Sequence, residues 1–359
     1  MTILNNLVRY PKSNDPTLQA WDASDELVLE HIPSIIEKYS TPKILIMNDS
    51  FGALSILLKE YKAQNYVDSY NSAQAINTNN NEKPIIINDL ENIQGFFDII
   101  VLKIPKNMSF MEDILIKISK HMHEKSTLIC SAMVKHLPKK SFELLNQYIG
   151  DTSTSLAKKK ARLVFANYQK SPAQDIYPLK IKIDQWDKEL INHSNLFSRE
   201  KLDIGTRFFL ENIPQGHFKS ILDLGCANGL IGLKAKSINP NAKIYFSDES
   251  FMAIKSAKDN YKNSFNDEAE FYWTNCYEDK SFPKVDLVLC NPPFHQGNTV
   301  GDFIALQMFK DSRDALNQGG KIRVIGNNHL GYHVKLKKLF GNVTEIKKNK
   351  KFIILESTK

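Results

Sequence analysis

The chain has 359 residues, 42% of them apolar and 24% charged, with a formal net charge of +7. That length can bury two ordinary cores, and the composition excludes a disordered or collagen-like chain. It contains no run of 18 apolar residues, and residues 1–12 lack the charged-then-apolar layout of a secretion signal, so a cytoplasmic protein with no membrane partner is expected.

Leu18, Trp21, Leu27, Val28 and Leu29 recur among acids over 17–32, which predicts an amphipathic helix interrupted at Pro33. A strand is expected over 43–47, then a helix over 53–61 after Gly52. Short strands near 66–68 and at 84–87 flank the polar tract 77–82, which reads as a loop. Next come a buried strand at 97–102, a helix at 110–121 and a strand at 126–130. The stretch 165–178 mixes Asn, Gln, Lys, Ser and two prolines without periodicity. The expected division is a first domain over 1–170, a linker at 171–178 and a second domain over 179–359.

In the second part, a strand at 180–186 precedes a helix at 205–212. Strands at 220–224, 243–247, 270–274 and 285–290 then alternate with helices at 230–237 and 252–261. A helix over 303–316 is expected to stop at Gly319-Gly320, followed by a strand at 321–325 and a hairpin of 343–346 with 352–355. Alternation of this kind argues for an α/β fold with mainly parallel sheets.

Two stretches recur in both parts. Residues 44–52 can be laid over 221–229, and 98–106 over 286–294, at a similar separation. One duplicated fold is the expectation. The first copy has Ile46 and Asn48 where the second has Asp223 and Gly225, and Lys103 and Lys106 where the second has Asn291 and Phe294. Side chains at Asn48, Asp49 and Ser50 obstruct a ligand that needs close backbone approach. The first half is therefore expected to keep the fold, to lose the chemistry, and to serve as binding surface or brace.

In the second copy, Asp223-Leu-Gly225-Cys-Ala227-Asn-Gly229 follows a strand and opens a helix, where glycines permit a tight turn and the helix start offers free N–H groups. Asp248 closes the next strand, where a carboxylate can take both hydroxyls of a ribose. Asn275 leaves the third strand beside it, placed for a base. Phe197 and Ser198, with 202–206, form a helix start that could cover a ligand. The fourth strand ends at Asn291-Pro292-Pro293-Phe294. Two prolines stop the strand and stiffen the turn, so Asn291 offers a fixed carbonyl acceptor, the Asn291 and Pro292 main-chain carbonyls point outward, and Phe294 can stack on a ring. Such a site suits a planar amino group.

Cys130, Cys226, Cys276 and Cys290 have no CxxC spacing and lie in apolar or glycine-rich contexts, so buried free thiols and no metal site are expected. Lysines cluster at 158–160, 335–338 and 347–351, which favours a nucleic acid as the polyanionic partner.

Asn-Pro-Pro-Phe resembles the motif of S-adenosylmethionine-dependent methyltransferases that act on amino nitrogens, and Asp-x-Gly-x-x-x-Gly resembles their first cofactor motif. With Leu18-Gln-Ala-Trp21, Asn48-Asp-Ser-Phe-Gly-Ala-Leu-Ser55, Lys158-Lys-Lys-Ala-Arg-Leu163, Leu202-Asp-Ile-Gly205, Cys290-Asn-Pro-Pro-Phe-His-Gln296 and Tyr332 to Asn342, nearly the whole chain is similar to the tandem-domain ribosomal RNA guanine-N2 methyltransferases, their large-subunit branch most of all. The resemblance implies two tandem Rossmann-like class I methyltransferase domains, the N-terminal one degenerate. Each would have a seven-stranded sheet with helices on both faces and its last strand antiparallel. It implies S-adenosyl-L-methionine held by Phe197, Ser198, Asp223, Gly225, Ala227, Gly229, Asp248, Asn275 and Asn291. Asn291, Pro292 and Phe294 would act in catalysis on N2 of a guanine in 23S RNA. Ala227 departs from the family's usual glycine, and slightly weaker cofactor packing is expected there. A monomer whose partner is ribosomal RNA, without metal or membrane, completes the expectation. The small-subunit (16S) enzyme of the same architecture, a methylase of amide or adenine nitrogens, and a non-catalytic RNA-binding assembly factor remain as alternatives.

Overall fold

The computed structural model describes residues 4–13, 15, 17–293 and 300–359, with backbone alone at 300–302. The chain forms two compact units, Met1–Tyr177 and Pro178–Lys359.

The first unit runs α1 (Ala23–Ile36), β1 (Ile44–Met47), α2 (Ala53–Leu57), β2 (Gln64–Tyr66), α3 (Tyr70–Asn79), β3 (Ile85–Ile87), β4 (Ile99–Lys103), α4 (Met108–Ser119), β5 (Thr127–Met133), α5 (Lys139–Tyr148), β6 (Thr152–Thr154) and β7 (Ala161–Asn167). Its sheet has the order β3-β2-β1-β4-β5-β7-β6, and β7 runs antiparallel to both neighbours.

The second unit opens with an antiparallel pair, β8 (Leu179–Ile183) and β9 (Trp186–Asn192), followed by α6 (Ile204–Leu210). It continues as β10 (Ser220–Leu224), α7 (Leu230–Ile238), β11 (Lys243–Asp248), α8 (Phe251–Ser264), β12 (Glu270–Trp273), β13 (Val285–Cys290), α9 (Val300–Ala315), β14 (Leu316–Asn327), α10 (Tyr332–Phe340), β15 (Thr344–Lys348) and β16 (Phe352–Thr358). The order β12-β11-β10-β13-β14-β16-β15 is the first sheet's order over again, with β16 antiparallel.

The central strands explain the layering. Ile221, Leu287 and Leu289 pack with α6, α7 and α8 on one face, whereas Leu222, Leu224, Val288 and Cys290 pack with α9 and α10 on the other. A strand points successive side chains to opposite faces, so strands covered on both sides must be apolar throughout, as 221–224 and 287–290 nearly are. Asp223 is the exception and belongs to the site.

Several expectations need correction. The first helix starts at Ala23, where Asp22 and Asp25 form a reciprocal capping box, and it continues past Pro33 to Ile36. The proline sits in the last turn, where it removes one intrahelical bond and the helix ends three residues later. Residues 77–79 are the end of α3, capped by Ser69, and not loop. Phe165 to Asn167 belong to β7. The expected linker, 171–178, is irregular, and much of it is tied to the first unit. Asp175 accepts from Lys117 at 3.0 Å and Lys120 at 2.8 Å, and the Tyr177 hydroxyl donates to Glu112 at 2.9 Å. Gly319 and Gly320 lie within β14, which begins immediately after α9, so they do not stop that helix.

Candidate active site

Strand order reverses between β10 and β13, and open α/β sheets form a crevice beyond the carboxyl ends of strands at such a point. Register brings the ends level. Leu224 pairs with Ser247 on one side and Cys290 on the other, and Asp248 pairs with Trp273. Gly225, Asp248 and Asn291 therefore leave or close their strands at one edge, with Asn275 just beyond β12.

The loop after β10 has left-handed backbone at Gly225 (φ +73°), Ala227 (φ +49°) and Gly229 (φ +82°). The Ser247 carbonyl accepts from the N–H groups of Gly225 at 2.9 Å and Cys226 at 3.0 Å. One Asp248 oxygen accepts from Ala227 N at 2.9 Å, and the other accepts from Ser250 N, also at 2.9 Å. Asp248 thus holds the loop in shape. A side chain on Gly229 would lie 2.9 Å from the Ala257 Cβ, so the loop lies tight against α8. Asn260 of that helix, 1% exposed, accepts from Ile191 N at 2.6 Å and donates to the Ile191 and Asn228 carbonyls at 3.0 and 2.9 Å. Sequence reasoning missed Asn260, because a lone amide on a helix carries no local signal.

Asp223 is 1% exposed beneath the loop. One oxygen accepts from the N–H of Gly232, third residue of α7, at 2.8 Å, and the other has no partner among the described residues. Burial pushes this carboxyl well above the usual range, with the nearby Asp248 adding to the shift. Its place is behind the loop, as a brace for the helix start.

Asn291 donates from Nδ2 to the Thr206 hydroxyl oxygen at 3.1 Å, while its Oδ1 is buried without a partner among the described residues. Pro292 is buried and Pro293 exposed. Phe294, and His295 after it, lie outside the described residues. Asn275 donates to Glu278 at 2.9 Å, and Thr274 just before it donates its N–H to the Asp248 carbonyl at 3.0 Å. Phe197 and Ser198 lie on the turn before α6. Phe197 is 67% exposed, and Ser198 (φ +53°) donates its hydroxyl to the Lys201 carbonyl at 2.7 Å.

The first unit keeps two of the three left-handed positions of this loop and carries other side chains. Asn48 is left-handed (φ +62°) and donates its N–H to the Tyr66 carbonyl at 2.9 Å, as Gly225 does to Ser247; Gly52 (φ +86°) matches Gly229. The α2 start is closed by a carboxylate within the loop. Asp49, 1% exposed, accepts from Gly52 N at 3.0 Å and from Leu54 and Ser55 N at 2.9 Å. At the Asn291 position, Lys103 donates to Asp25 at 2.5 Å and lies 3.7 Å from Asp22. Burial lowers the lysine's pKa, but Asp25, Asp22 and Asp49 more than offset this and raise it. Burial raises the Asp25 carboxyl to about 6, because the pull of Lys103 is opposed by Asp49 and Asp22.

A family model described as methyltransferase small domain matches residues 187–356, and one described as RLMG N-terminal domain matches residues 3–170. Ribosomal RNA large subunit methyltransferase G of Pseudomonas fluorescens is 39% identical over 99% of this chain and 97% of that protein. The protein of the same name from Stutzerimonas stutzeri is 40% identical over the same shares. The chain belongs to the ribosomal RNA large subunit methyltransferase G family. Within that family's fold, the small-domain match coincides with the unit that carries the left-handed loop, Asp248 and Asn291. A solved structure of T. thermophilus RsmC, a 16S rRNA N2 methyltransferase in complex with AdoMet and guanosine, aligns with a TM-score of 0.78 over 94% of this chain and 92% of its own, at 15% identity. The tandem architecture is thus shared at low identity.

Two outcomes follow from this geometry. Ala227 occupies a backbone region that disfavours a Cβ by roughly 1–2 kcal/mol. Ala227→Gly should therefore leave stability to urea unchanged or raise it by up to about 1 kcal/mol, whereas a clear loss would show that its methyl group packs. A carboxyl with a pKa higher in the folded than in the unfolded chain contributes stability in its protonated form, and that contribution is lost as pH rises through the folded value, about 6 for Asp25. The wild-type melting temperature should fall relative to that of Asp25→Asn as pH rises from about 4 to about 6 and then level off; parallel curves across that range would show that Asp25 does not titrate there.

Proposed function

We propose that this chain transfers the methyl group of S-adenosylmethionine to the exocyclic N2 of a guanine in 23S ribosomal RNA. The relatives at 39% and 40% identity carry a large-subunit name, which favours 23S over 16S RNA. The observation that carries the chemistry is the buried Asn291 Oδ1 at the crevice, which has no partner among the described residues. A buried carbonyl oxygen left without a donor costs roughly 1–3 kcal/mol, and an arriving amino group removes that penalty.

The residues present fit the cofactor. The left-handed loop offers backbone without side-chain bulk at Gly225 and Gly229, Asp248 ends the neighbouring strand where a carboxylate suits ribose hydroxyls, and Asn275 lies next along the edge. When bound, S-adenosylmethionine supplies an electrophilic methyl carbon attached to a sulfur that leaves as a neutral thioether. Asn291 Oδ1 accepts one N–H of the guanine amine, and the Pro292 carbonyl is proposed to accept the other. Two acceptors in fixed positions orient the nitrogen lone pair, so positioning provides most of the rate. Phe294 is proposed to stack on the base, which must leave its helix or loop to reach the pocket.

The first unit is proposed to hold no cofactor, since Asp49 occupies the α2 start and the Lys103–Asp25 pair fills the position of the Asn291 amide. RNA contact is proposed through exposed lysines. Lys158 and Lys159 pair with Glu30 and Glu26 at 2.6 and 2.7 Å, which reduces their availability. Lys337, Lys338, Lys347, Lys348, Lys350 and Lys351 are exposed on the second unit. Among the described residues no helix is long and apolar enough to cross a membrane.

Isothermal titration of the full chain with S-adenosylmethionine should give one site per chain; two sites would overturn the reading of the first unit. Asn291→Ala should lower methyl transfer to 23S RNA by roughly a hundredfold or more while cofactor binding survives. Near-normal turnover by that variant would refute the amine-orienting role.

A further inference from the structure

We infer that Thr206 is the positioning residue that sets which way the Asn291 amide faces, an inference resting on the reading of Asn291 just proposed. An amide has a donor end and an acceptor end, and only one orientation turns the carbonyl to an incoming amine. Three bonds select it. Asp203 caps α6 and accepts the Thr206 N–H at 2.8 Å. The Thr206 hydroxyl lies 3.4 Å from the same carboxylate oxygen, which can only accept and so offers the hydroxyl proton a direction away from Asn291. With its proton directed there, Thr206 Oγ1 presents a lone pair to Asn291 and must meet a donor, which is Nδ2 at 3.1 Å. Oδ1 is left facing away from Thr206, buried and without a partner among the described residues. The hydroxyl–carboxylate bond is long and weak, but a direction is all it has to set.

The first unit supports the assignment independently. Thr206 is the third residue of α6 after the cap Asp203, and Asp25 is the third residue of α1 after the cap Asp22. Asp25 contacts Lys103, which occupies the position of Asn291. Both copies thus join the third residue of their first helix to the end of the fourth strand of the sheet. Only in the second does that contact leave an acceptor open. In the first, cation and carboxylate satisfy each other. The contact spans 85 positions of sequence, from an element that forms none of the cofactor loop.

The test compares Thr206→Val, which keeps the shape and removes the acceptor, with Thr206→Ser, which keeps the oxygen. Methyl transfer to deproteinised 23S RNA lacking the modification is measured at saturating substrates, with S-adenosylmethionine affinity by titration on the same full-length proteins. The expected result for Thr206→Val is a fall in kcat of roughly tenfold to a hundredfold with cofactor Kd within about twofold of wild type. Thr206→Ser should recover most of kcat. In the background of Asn291→Ala, adding Thr206→Val should cost little more, because residues that act through one another are not additive. If Thr206→Val folds poorly, Thr206→Ala replaces it in both backgrounds. Wild-type kcat in Thr206→Val, equal losses in the valine and serine variants, or additive losses with Asn291→Ala would each overturn the inference. If Asn291→Ala itself retains activity, the amine-orienting role fails, and with it this inference. If Asn291→Ala is inactive and Thr206→Val is not, only the inference fails.

Discussion

A carboxamide oxygen buried with nothing to accept from is unfavourable, and among the described residues Asn291 shows that state at a strand end. The arrangement depends on its surroundings being stiffer than the penalty is large. The strand beneath Asn291 is buried from Leu287 to Cys290, Pro292 and Pro293 prevent it from continuing, and Thr206 holds the other end of the amide. Deletion of any of these supports would let the side chain turn to water or to a neighbour. An amide free to turn relieves its own penalty and no longer favours an incoming amine.

The rest of the crevice follows from register. Parallel pairing of Leu224 with both Ser247 and Cys290 fixes where three chains leave the sheet, so the cofactor loop, Asp248 and Asn291 are neighbours by construction. Side chains then refine the edge. Asp248 bonds both the loop and the start of its own following helix, and Asn260 bridges β9 to the loop at Asn228. Loop shape therefore depends on groups drawn from three separate elements, β9, β11 and α8. A substitution in α8 or β9 can disturb ligand binding without touching ligand.

Comparison of the two units shows what a fold keeps when chemistry is withdrawn. Strand order, the two left-handed positions and the strand-to-loop hydrogen bond persist. What changes is where carboxylates stand. In the second unit Asp223 braces α7 from beneath and leaves the loop surface clear, whereas in the first Ile46 has no such capacity and Asp49 braces α2 from within the loop. A helix start needs acceptors for its free N–H groups, and either source satisfies it. Only the carboxylate beneath the loop, as in the second unit, leaves space for a ligand.

The sequence by itself determined the duplicated α/β plan, the strands at 220–224 and 285–290, and the loops to watch, because buried strands bounded by glycine and proline are local patterns. It also paired Asn48 with Gly225 and Lys103 with Asn291, and the structure gives each pair matching places. Helices α3, α5 and α10 were not legible, since their faces are largely polar or short and their stability comes from packing. Tertiary structure alone decided that Asp223 lies behind its loop, that Asp248 holds Ala227, and that Thr206 meets Asn291 across 85 positions. Periodicity reports which face of an element is buried; which side chains meet there depends on how distant elements pack.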